Sequence, residues 1–543
     1  DVHPKPACPR VEGQLMLHLV SGGRVARPLT QALAQALKGP PSAAAQAANR
    51  AATGGMGRGA QAAPYAVPAS EADINQSVVA AQYAVRGEVV TKAAELEKKL
   101  KGGESLPFDK VVLCNIGNPQ ALGQKPITFF RQVLSICDYP ELLQNEHVSK
   151  IYPPDVIKRA SDILSNIRGG TGAYSESKGA LFLRQGVARS IEKRDGYPCD
   201  PDNIFLTDGA SAAVHYMTRI LLRNKDDAIL TPIPQYPLYS AAITLYGGTL
   251  TPYYLDESKG WGLNVDHLRD VVAGARKEGK CVRALVVINP GNPTGQCLDE
   301  ENQKEIVKFC KEEGLVLLAD EVYQENIYAA GKKFTSFKKC VRSLGSEYDN
   351  FPVVSMQSIS KGFYGECGRR GGDMEGCGIA PGIVDQIYKL ASVALCSNLN
   401  GQICMSLVAE PPVEGEPSYE LFMKEKADIL ASLKRRSTKL VAALNALDGV
   451  TCNEAEGAMY AFPCVTLPPK ALEMAKSKGV KGDNMYAMRL LEATGIVVVP
   501  GSGFGQAEGT FHFRTTFLPS EGDIDSVIER MTKFHQAFMA EFA

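Results

Sequence analysis

The sequence of 543 residues is 45% hydrophobic and 22% charged, which is ordinary for a globular protein with a sizeable core. Its 59 Lys and Arg against 60 Asp and Glu give a net charge of -1, which excludes a broadly basic protein that coats nucleic acid. No run of about 18 apolar residues occurs, so a membrane-spanning helix is excluded as well. The 14 cysteines form no C-x-x-C pair and the seven histidines have no metal-ligand spacing. We therefore expect reduced thiols in an intracellular protein, and no metal site.

The first 70 residues differ in composition from the rest of the chain. No Asp or Glu occurs between Gly13 and Ser70, and alanine fills 15 of the 40 positions from Gln31 to Ser70. Such a segment buries too little apolar surface to offset its chain entropy, which predicts a disordered, low-complexity tail. Its acid-poor, arginine-containing composition is also typical of an organellar transit peptide, and the chain starts at Asp1 without a methionine. A transit-peptide remnant predicts a mitochondrial protein, with cytoplasmic and plastid locations as the alternatives.

Ordered structure is predicted from about residue 71, and short β-rich runs then alternate with amphipathic helical stretches. The clearest example is an apolar strand at Arg283–Asn289, a helix over Asp299–Glu313 that stops at Gly314, and a second apolar strand at Leu315–Asp320. Strands that are apolar without alternation belong in a sheet covered on both faces. The pattern predicts an α/β fold with a mostly parallel sheet.

Polar residues follow several of the predicted strands at the point where each strand ends. The four segments are Thr207–Ser211 (TDGAS), Asn289–Gly295 (NPGNPTG), Asp320–Tyr323 (DEVY) and Ser358–Lys361 (SISK). Ligands of doubly wound sheets bind beyond the carboxyl ends of the strands. We therefore expect these four segments to line one pocket.

The order TDGAS, PQYP, NPGNPTG, DEVY, SISKG and FHFR resembles the class I and II aminotransferases of fold type I, which depend on pyridoxal 5′-phosphate. Longer strings such as GAMYAFP and VVPGSGFGQ resemble the alanine aminotransferases among them, from about Asn75 to the C-terminus. The resemblance implies a large domain with a mostly parallel seven-stranded sheet and a smaller α+β domain. We assign residues 71–170 to an N-terminal arm and the first part of the small domain, 171–410 to the large cofactor-binding domain, and 411–543 to the remainder of the small domain.

The resemblance also implies a reaction. L-Alanine and 2-oxoglutarate would give pyruvate and L-glutamate in a ping-pong transamination through an internal aldimine on Lys361. Glutamate:glyoxylate aminotransferases share the same motifs and are the alternative. A homodimer with shared active sites is implied, acting on small amino and 2-oxo acids, with no nucleic acid or membrane partner.

Three residues are implied to be catalytic. Lys361 would bond to the cofactor and move the substrate proton, although a lysine after a strand is also read as a surface charge. Asp320 would pair with the pyridine nitrogen, although an Asp at a strand end also caps helices. Tyr323 would bond the ring oxygen, although a packed core tyrosine is the plain alternative.

The remaining implied contacts divide between cofactor and substrate. The phosphate would be held by backbone N–H groups and side chains of Gly209, Ala210, Ser211, Ser358 and Arg370, with Arg369 as an alternative to Arg370. The ring would contact Tyr236, by stacking, and Asn292, while Tyr174 would reach the phosphate of the neighbouring subunit. The substrate carboxylate would be bound by Arg514, Asn292, Ile116 and Gly117. An ion pair with an acidic residue is the alternative for Arg514, and His512 is interpreted as structural.

Overall fold

The structure, a computed structural model, describes residues 70–83 and 87–543. The predicted tail of residues 1–70 lies outside this description except for Ser70. The described helices are α1 (Gln76–Ala80), α2 (Glu88–Lys101), α3 (Thr128–Asp138), α4 (Val148–Ile151), α5 (Pro154–Asn166), α6 (Leu181–Asp195), α7 (Ala210–Leu221), α8 (Leu238–Leu245), α9 (Val265–Lys277), α10 (Glu300–Glu313), α11 (Phe337–Ser343), α12 (Pro381–Val393), α13 (Leu399–Ala409), α14 (Tyr419–Asn445), α15 (Pro469–Ser477), α16 (Gly482–Thr494) and α17 (Glu521–Glu541). The described strands are β1 (Val112–Leu113), β2 (Ile204–Thr207), β3 (Asp227–Ile233), β4 (Thr249–Tyr254), β5 (Cys281–Ile288), β6 (Val316–Asp320), β7 (Val353–Ser358), β8 (Gly372–Cys377), β9 (Val450–Thr451), β10 (Tyr460–Ala461), β11 (Cys464–Val465), β12 (Ile496–Val497), β13 (Val499–Pro500) and β14 (Phe513–Thr516).

The centre of the molecule is a seven-stranded sheet in the order β2-β8-β7-β6-β5-β3-β4. Neighbouring strands are parallel except at β8, which runs antiparallel to both β2 and β7. Every residue of β2 and β3 is buried, because helices cover both faces. Helices α9, α10 and α11 pack on one face, and α7, α8 and α12 pack on the other. The predicted α/β class and mostly parallel seven-stranded sheet are confirmed.

The β5-α10-β6 unit shows how local sequence sets the geometry. The Asp299 carboxylate accepts a hydrogen bond from the backbone N–H of Asn302 and caps the start of α10. Gly314 ends the helix in the left-handed region with φ 68°, where a side chain would be strained. The chain then enters β6, whose last residue, Asp320, pairs in register with Ile288 of β5. The predicted strand–helix–strand unit is confirmed to within two residues at each end.

A smaller α+β part completes the described chain. Its strands form the short sheets β10-β14-β13, β9-β11 and β1-β12, packed with helices α14 to α17 around one apolar core. Strand β1, which precedes the large sheet in the chain, pairs with β12 from the C-terminal region. Within the described residues, no helix is long and apolar enough to cross a membrane. The exact domain boundaries given above remain predictions.

Candidate active site

A cavity of ≈ 290 Å³ opens at the carboxyl ends of β5, β6 and β7. All four predicted strand-end segments contribute to its wall, so the structure brings them together as the sequence pattern predicts. The cavity is lined by Ile116, Gly117, Asn118, Ala210, Ser211, Val214, Tyr236, Leu238, Ile288, Asn292, Asp320, Val322, Tyr323, Ser358, Ser360, Lys361, Cys367, Arg370, Tyr460 and Arg514.

Asp320 lies at the floor of this cavity as the last residue of β6 and is only 5% exposed. The hydroxyl of Tyr239 donates a hydrogen bond to its Oδ2 at 2.9 Å, and its Oδ1 is buried without a partner among the described residues. Burial raises the pKa of Asp320 to about 6, and the hydrogen bond from Tyr239, the backbone N–H of Val322 and the charge of Lys361 only partly offset this effect. A turn rather than a helix follows Asp320, so the helix-cap alternative is wrong. The carboxylate is therefore held in place with one oxygen available to a cationic donor.

Lys361 follows β7, the strand next to β6, and its side chain reaches into the same cavity. Its Nζ donates a hydrogen bond to the backbone oxygen of Gly117 at 2.9 Å. The Nζ also lies 5.7 Å from the centroid of the Tyr323 ring. The amine is thus directed inward, and the surface-charge alternative for Lys361 is wrong.

One end of the cavity is suited to an anion. Helix α7 starts there at Ala210, after Gly209 with φ 73°, and a Cβ added to Gly209 would lie 2.6 Å from a guanidinium nitrogen of Arg370. The Arg370 side chain donates to the Asp208 backbone oxygen at 2.9 Å and lines the cavity. Its neighbour Arg369 instead forms an ion pair with Glu366 at 3.5 Å. Helix N–H groups and a guanidinium therefore converge at this end.

Two further cavity residues, Ser211 and Ser358, lie at the same end as Arg370. The hydroxyl of Ser358 donates to the backbone oxygen of Gly371 at 3.3 Å and accepts from the backbone N–H of Ser360 at 3.1 Å. These local bonds hold the hydroxyl at the cavity wall. The predicted phosphate-binding set is thus gathered in one place, although Gly209 contributes through its conformation rather than by lining the cavity.

Three tyrosines form the aromatic part of the wall. Tyr236 hydrogen bonds through its hydroxyl to that of Tyr83 at 2.7 Å, which ties the segment after α1 to the cavity. The Tyr323 hydroxyl donates to that of Tyr460 at 3.3 Å. Burial alone would raise the pKa of Tyr460, but the nearby cations of Lys361 and Arg514 and the bond from Tyr323 lower it. Of the three wall tyrosines, Tyr460 has the lowered pKa, whereas burial raises the pKa of Tyr236 and of Tyr323.

Arg514 lies on β14, and its side chain is 2% exposed. Its Nη1 donates to the side-chain oxygen of Asn292 at 2.9 Å, and Nη2 donates to the backbone oxygen of Asn115. The guanidinium carbon lies 4.1 Å from the centroid of Tyr460, and Nε is buried without a partner among the described residues. These partners are all neutral, so the acidic-partner alternative is wrong. A buried cation without a counter-ion favours an anionic ligand.

Of the predicted site residues, Tyr174 and Gly209 do not line the cavity, and Tyr174 is 76% exposed. Among the residues that were not predicted, two tyrosines bond to predicted site residues, Tyr239 to Asp320 and Tyr460 to Tyr323. Tyr239 occurs three residues after Tyr236 in PQYPLYS, and only the position of α8 decides which of the two bonds Asp320. Tyr460 occurs in GAMYAFP, far along the chain, and β10 brings it to the cavity.

The donor set fits one kind of ligand. It has an unpartnered carboxylate oxygen on the floor, an amine nearby, and an anion-binding helix terminus with a guanidinium at one end. A pyridoxal phosphate has a protonable ring nitrogen, a carbonyl group and a phosphate, which match these features in kind.

Comparison with known proteins gives consistent results. Residues 135–531 match the family model described as aminotransferase class I and II. The chain is 56% identical over 478 residues to "Alanine aminotransferase 1, mitochondrial" of Arabidopsis thaliana, covering 88% of each chain. It is 50% identical over 471 residues to glutamate–glyoxylate aminotransferase 2 of the same plant, covering 87% of this chain and 96% of that one. It is similar in fold to the solved alanine aminotransferase from Pyrococcus furiosus, with a TM-score of 0.67 and 25% identity over 86% of this chain and 100% of that one.

Proposed function

The chain belongs to the class I and II aminotransferases, and on this basis we propose that it is the enzyme that converts L-alanine and 2-oxoglutarate to pyruvate and L-glutamate. The observation that carries the proposal is the 56% identity to a named alanine aminotransferase over 88% of the chain, against 50% to a glutamate–glyoxylate aminotransferase. The cavity supports it, because an acid, an amine and an unpaired arginine meet there.

The cofactor is pyridoxal 5′-phosphate, which when bound supplies an electron-withdrawing ring that stabilises negative charge on the α-carbon of the substrate. Asp320 would hold the ring nitrogen protonated, since its free Oδ1 is a ready acceptor for a cationic N–H. Tyr323 and Asn292 would bond the ring oxygen, and Tyr236 would pack on the ring face. The start of α7, with Ser358 and Arg370, would hold the phosphate.

Lys361 is proposed as the residue that bonds the cofactor and as the general base and acid. Its Nζ is held by the Gly117 oxygen inside the cavity, and as a free amine it would take the proton from the substrate α-carbon and deliver it to the cofactor carbon that derives from the carbonyl group.

Arg514 is proposed to bind the α-carboxylate that both substrates share. Asn292 already orients the guanidinium, and the backbone at Ile116 and Gly117 faces the same cavity. Substrate binding would replace neutral partners by a charged one, which strengthens the hydrogen bonds of a buried guanidinium. The side chains of alanine and 2-oxoglutarate differ in size and charge. Arg514 must therefore bind the α-carboxylate, which is the part that both substrates share.

The active enzyme is proposed to be a mitochondrial homodimer. The relative that is 56% identical carries "mitochondrial" in its name, which supports the location. Tyr174 is highly exposed on the single chain, as expected of a side chain that reaches a neighbouring site. Tyr174→Phe should then speed the loss of cofactor from the dimer several-fold, measured by the absorbance retained during dialysis. An unchanged rate would remove Tyr174 from the shared site.

Steady-state kinetics tests the proposed reaction. The purified enzyme with pyridoxal phosphate should turn over L-alanine with 2-oxoglutarate, and pyruvate formation can be followed with lactate dehydrogenase. The ratio kcat/KM should be higher for 2-oxoglutarate than for glyoxylate as acceptor. A strong preference for glyoxylate would instead identify the alternative reaction, and no turnover with either acceptor would reject both.

A further inference from the structure

A second group of reactive side chains lies outside the cavity. Glu257 occupies a short turn after β4, Cys464 starts β11, and His512 immediately precedes β14. One ligand atom from each of the three lies within 4.8 Å of the other two. Glu257 Oε2 and His512 Nε2 are 3.1 Å apart, and the backbones of Cys464 and His512 form an antiparallel bridge. Three distant chain segments thus place an oxygen, a sulfur and a nitrogen donor together.

The imidazole of His512 is fixed in orientation. Its Nδ1 lies 3.0 Å from the side-chain oxygen of Gln506, whose Nε2 in turn donates to Asp483 at 3.3 Å. The ring is 3% exposed and stacks on Phe462 with 4.8 Å between centroids. Since an amide oxygen only accepts, Nδ1 carries the hydrogen, and in the neutral ring the lone pair is at Nε2, toward Glu257 and Cys464.

This arrangement has the properties of a metal-binding histidine. Such residues donate their second ring N–H to an oxygen acceptor, which fixes the tautomer and the ring plane. Two bonds of about 2.0 Å at a tetrahedral angle place their ligand atoms about 3.3 Å apart, close to the separation of Glu257 Oε2 and His512 Nε2. Glu257 and His512 also form an ion pair: burial lowers the pKa of His512, but hydrogen bonds to Cys464 and Glu257 outweigh it and raise the pKa to about 9, so zinc must displace the Nε2 proton.

We propose that Glu257, Cys464 and His512 form a zinc site outside the active-site cavity. Nitrogen, thiolate and carboxylate ligands in a tetrahedral set are the donors that Zn²⁺ takes in proteins. Glu257 and Cys464 are half-buried, so water can supply the fourth ligand. The proposal departs from the expectations from sequence that the chain holds no metal and that His512 is structural.

The position of the site gives it a structural consequence. His512 lies two residues before Arg514, and Glu257 belongs to the segment that follows β4 of the large sheet. The side-chain amide of Asn453 also donates to the backbone oxygen of Glu257 at 2.9 Å. Bound zinc would therefore tie the edge of the large sheet to the strand that carries Arg514, and should raise the Tm of the holoenzyme.

Metal binding to the holoenzyme tests the proposal. The enzyme is treated with chelator, exchanged into zinc buffer and passed through gel filtration, and the retained zinc per chain is measured by mass spectrometry. Cys464→Ser and Glu257→Gln remove half-buried ligands without emptying the core, and Cys281→Ser, which alters an exposed thiol elsewhere, is the matched control. Circular dichroism and the elution volume report the folding of each variant.

We expect one Zn²⁺ per chain for the wild type and for Cys281→Ser, with affinity lowered at least about 10-fold in folded Cys464→Ser and Glu257→Gln. X-ray absorption at the zinc edge should show one sulfur at about 2.3 Å and nitrogen or oxygen at about 2.0–2.1 Å. Failure to retain zinc, retention that neither ligand variant weakens, or a spectrum without sulfur would overturn the proposal. None of these readouts depends on transamination.

Discussion

Replacement of Asp320 by asparagine should stabilise the cofactor-free protein while it impairs the holoenzyme. The pKa of Asp320 is raised from 3.8 to about 6 by burial, so near pH 8 the folded state holds an ionised carboxylate that burial disfavours. This rise in the pKa of Asp320 corresponds to roughly 3 kcal/mol of lost stability once the carboxylate is ionised. Asparagine removes the charge and keeps an oxygen to accept the bond from Tyr239. For a chain of this length, the gain should raise Tm by roughly 3 °C.

The pH dependence of this gain has a definite sign. Between pH 4 and 6 the folded state binds more protons than the unfolded state, so the stability of the wild type falls as the pH rises through this range. Asp320→Asn should therefore match the wild type near pH 4 and exceed it fully above about pH 6. Differential scanning fluorimetry of cofactor-free protein across this range measures the difference. A gain independent of pH, or a loss at pH 8, would refute the reasoning.

In the holoenzyme, Asp320→Asn should be harmful rather than stabilising. Asp373→Asn is the matched control, because Asp373 is a second buried carboxylate. With pyridoxal phosphate bound, Asp320→Asn loses a charged hydrogen bond worth about 1.5–3 kcal/mol, so kcat/KM should fall about 10- to 100-fold. Asp373 is also buried, with its pKa raised to about 7 by burial, but it does not line the cavity. Asp373→Asn should therefore stabilise the protein with and without cofactor and leave KM unchanged.

Three other substitutions test separate parts of the site. Lys361→Ala should lower kcat by at least about 10³-fold in steady-state assays, while the variant retains non-covalent cofactor. Turnover close to the wild-type rate would contradict the role of Lys361 as general base. Arg514→Ala should raise KM for both L-alanine and 2-oxoglutarate by about 10- to 100-fold. Arg436→Ala is the control, because it removes another buried arginine that bonds to backbone oxygens, and it should lower Tm only. An effect on kcat alone would reject the carboxylate role of Arg514. Gly209→Ala should weaken cofactor binding in a titration, because the added Cβ would lie 2.6 Å from the guanidinium of Arg370. Gly247→Ala, at a similar φ of 72° but with open space around it, should lower stability without changing cofactor affinity. Equal cofactor affinity in the two variants would reject the steric reasoning.

The sequence predicted those parts of the fold that depend on local patterns. The β5-α10-β6 unit was recognisable because Asp299 and Gly314 mark the helix ends and the flanking strands are apolar throughout. The placement of Asp320 and Lys361 in one cavity followed from parallel strands ending at one edge of a sheet. Both inferences need only the period of the pattern and the direction of the strands.

Other features depend on how distant segments pack, and no local pattern contains them. Tyr239, not Tyr236, bonds to Asp320 because α8 begins between them. Tyr239 lies on the helix and faces the carboxylate, whereas Tyr236 precedes the helix and lines the cavity. The choice of Arg370 over Arg369 depends on the left-handed backbone of Arg370, with φ 53°.

The group formed by Glu257, Cys464 and His512 has no spacing signature at all. Its members are separated by about 200 and about 50 residues of sequence and meet only because β11 and the residue before β14 pair beside the turn after β4. Local sequence motifs therefore do not predict this group, which is formed only when the three segments fold together.

The most direct test of the active-site assignment is to locate the cofactor on the chain. Borohydride reduction of the holoenzyme, followed by peptide mass mapping, should place one pyridoxyl group on Lys361. Addition of L-alanine before reduction should remove that label, because the amino acid takes the place of the lysine amine. A label on another lysine, or a label on Lys361 that L-alanine does not displace, would contradict the assignment.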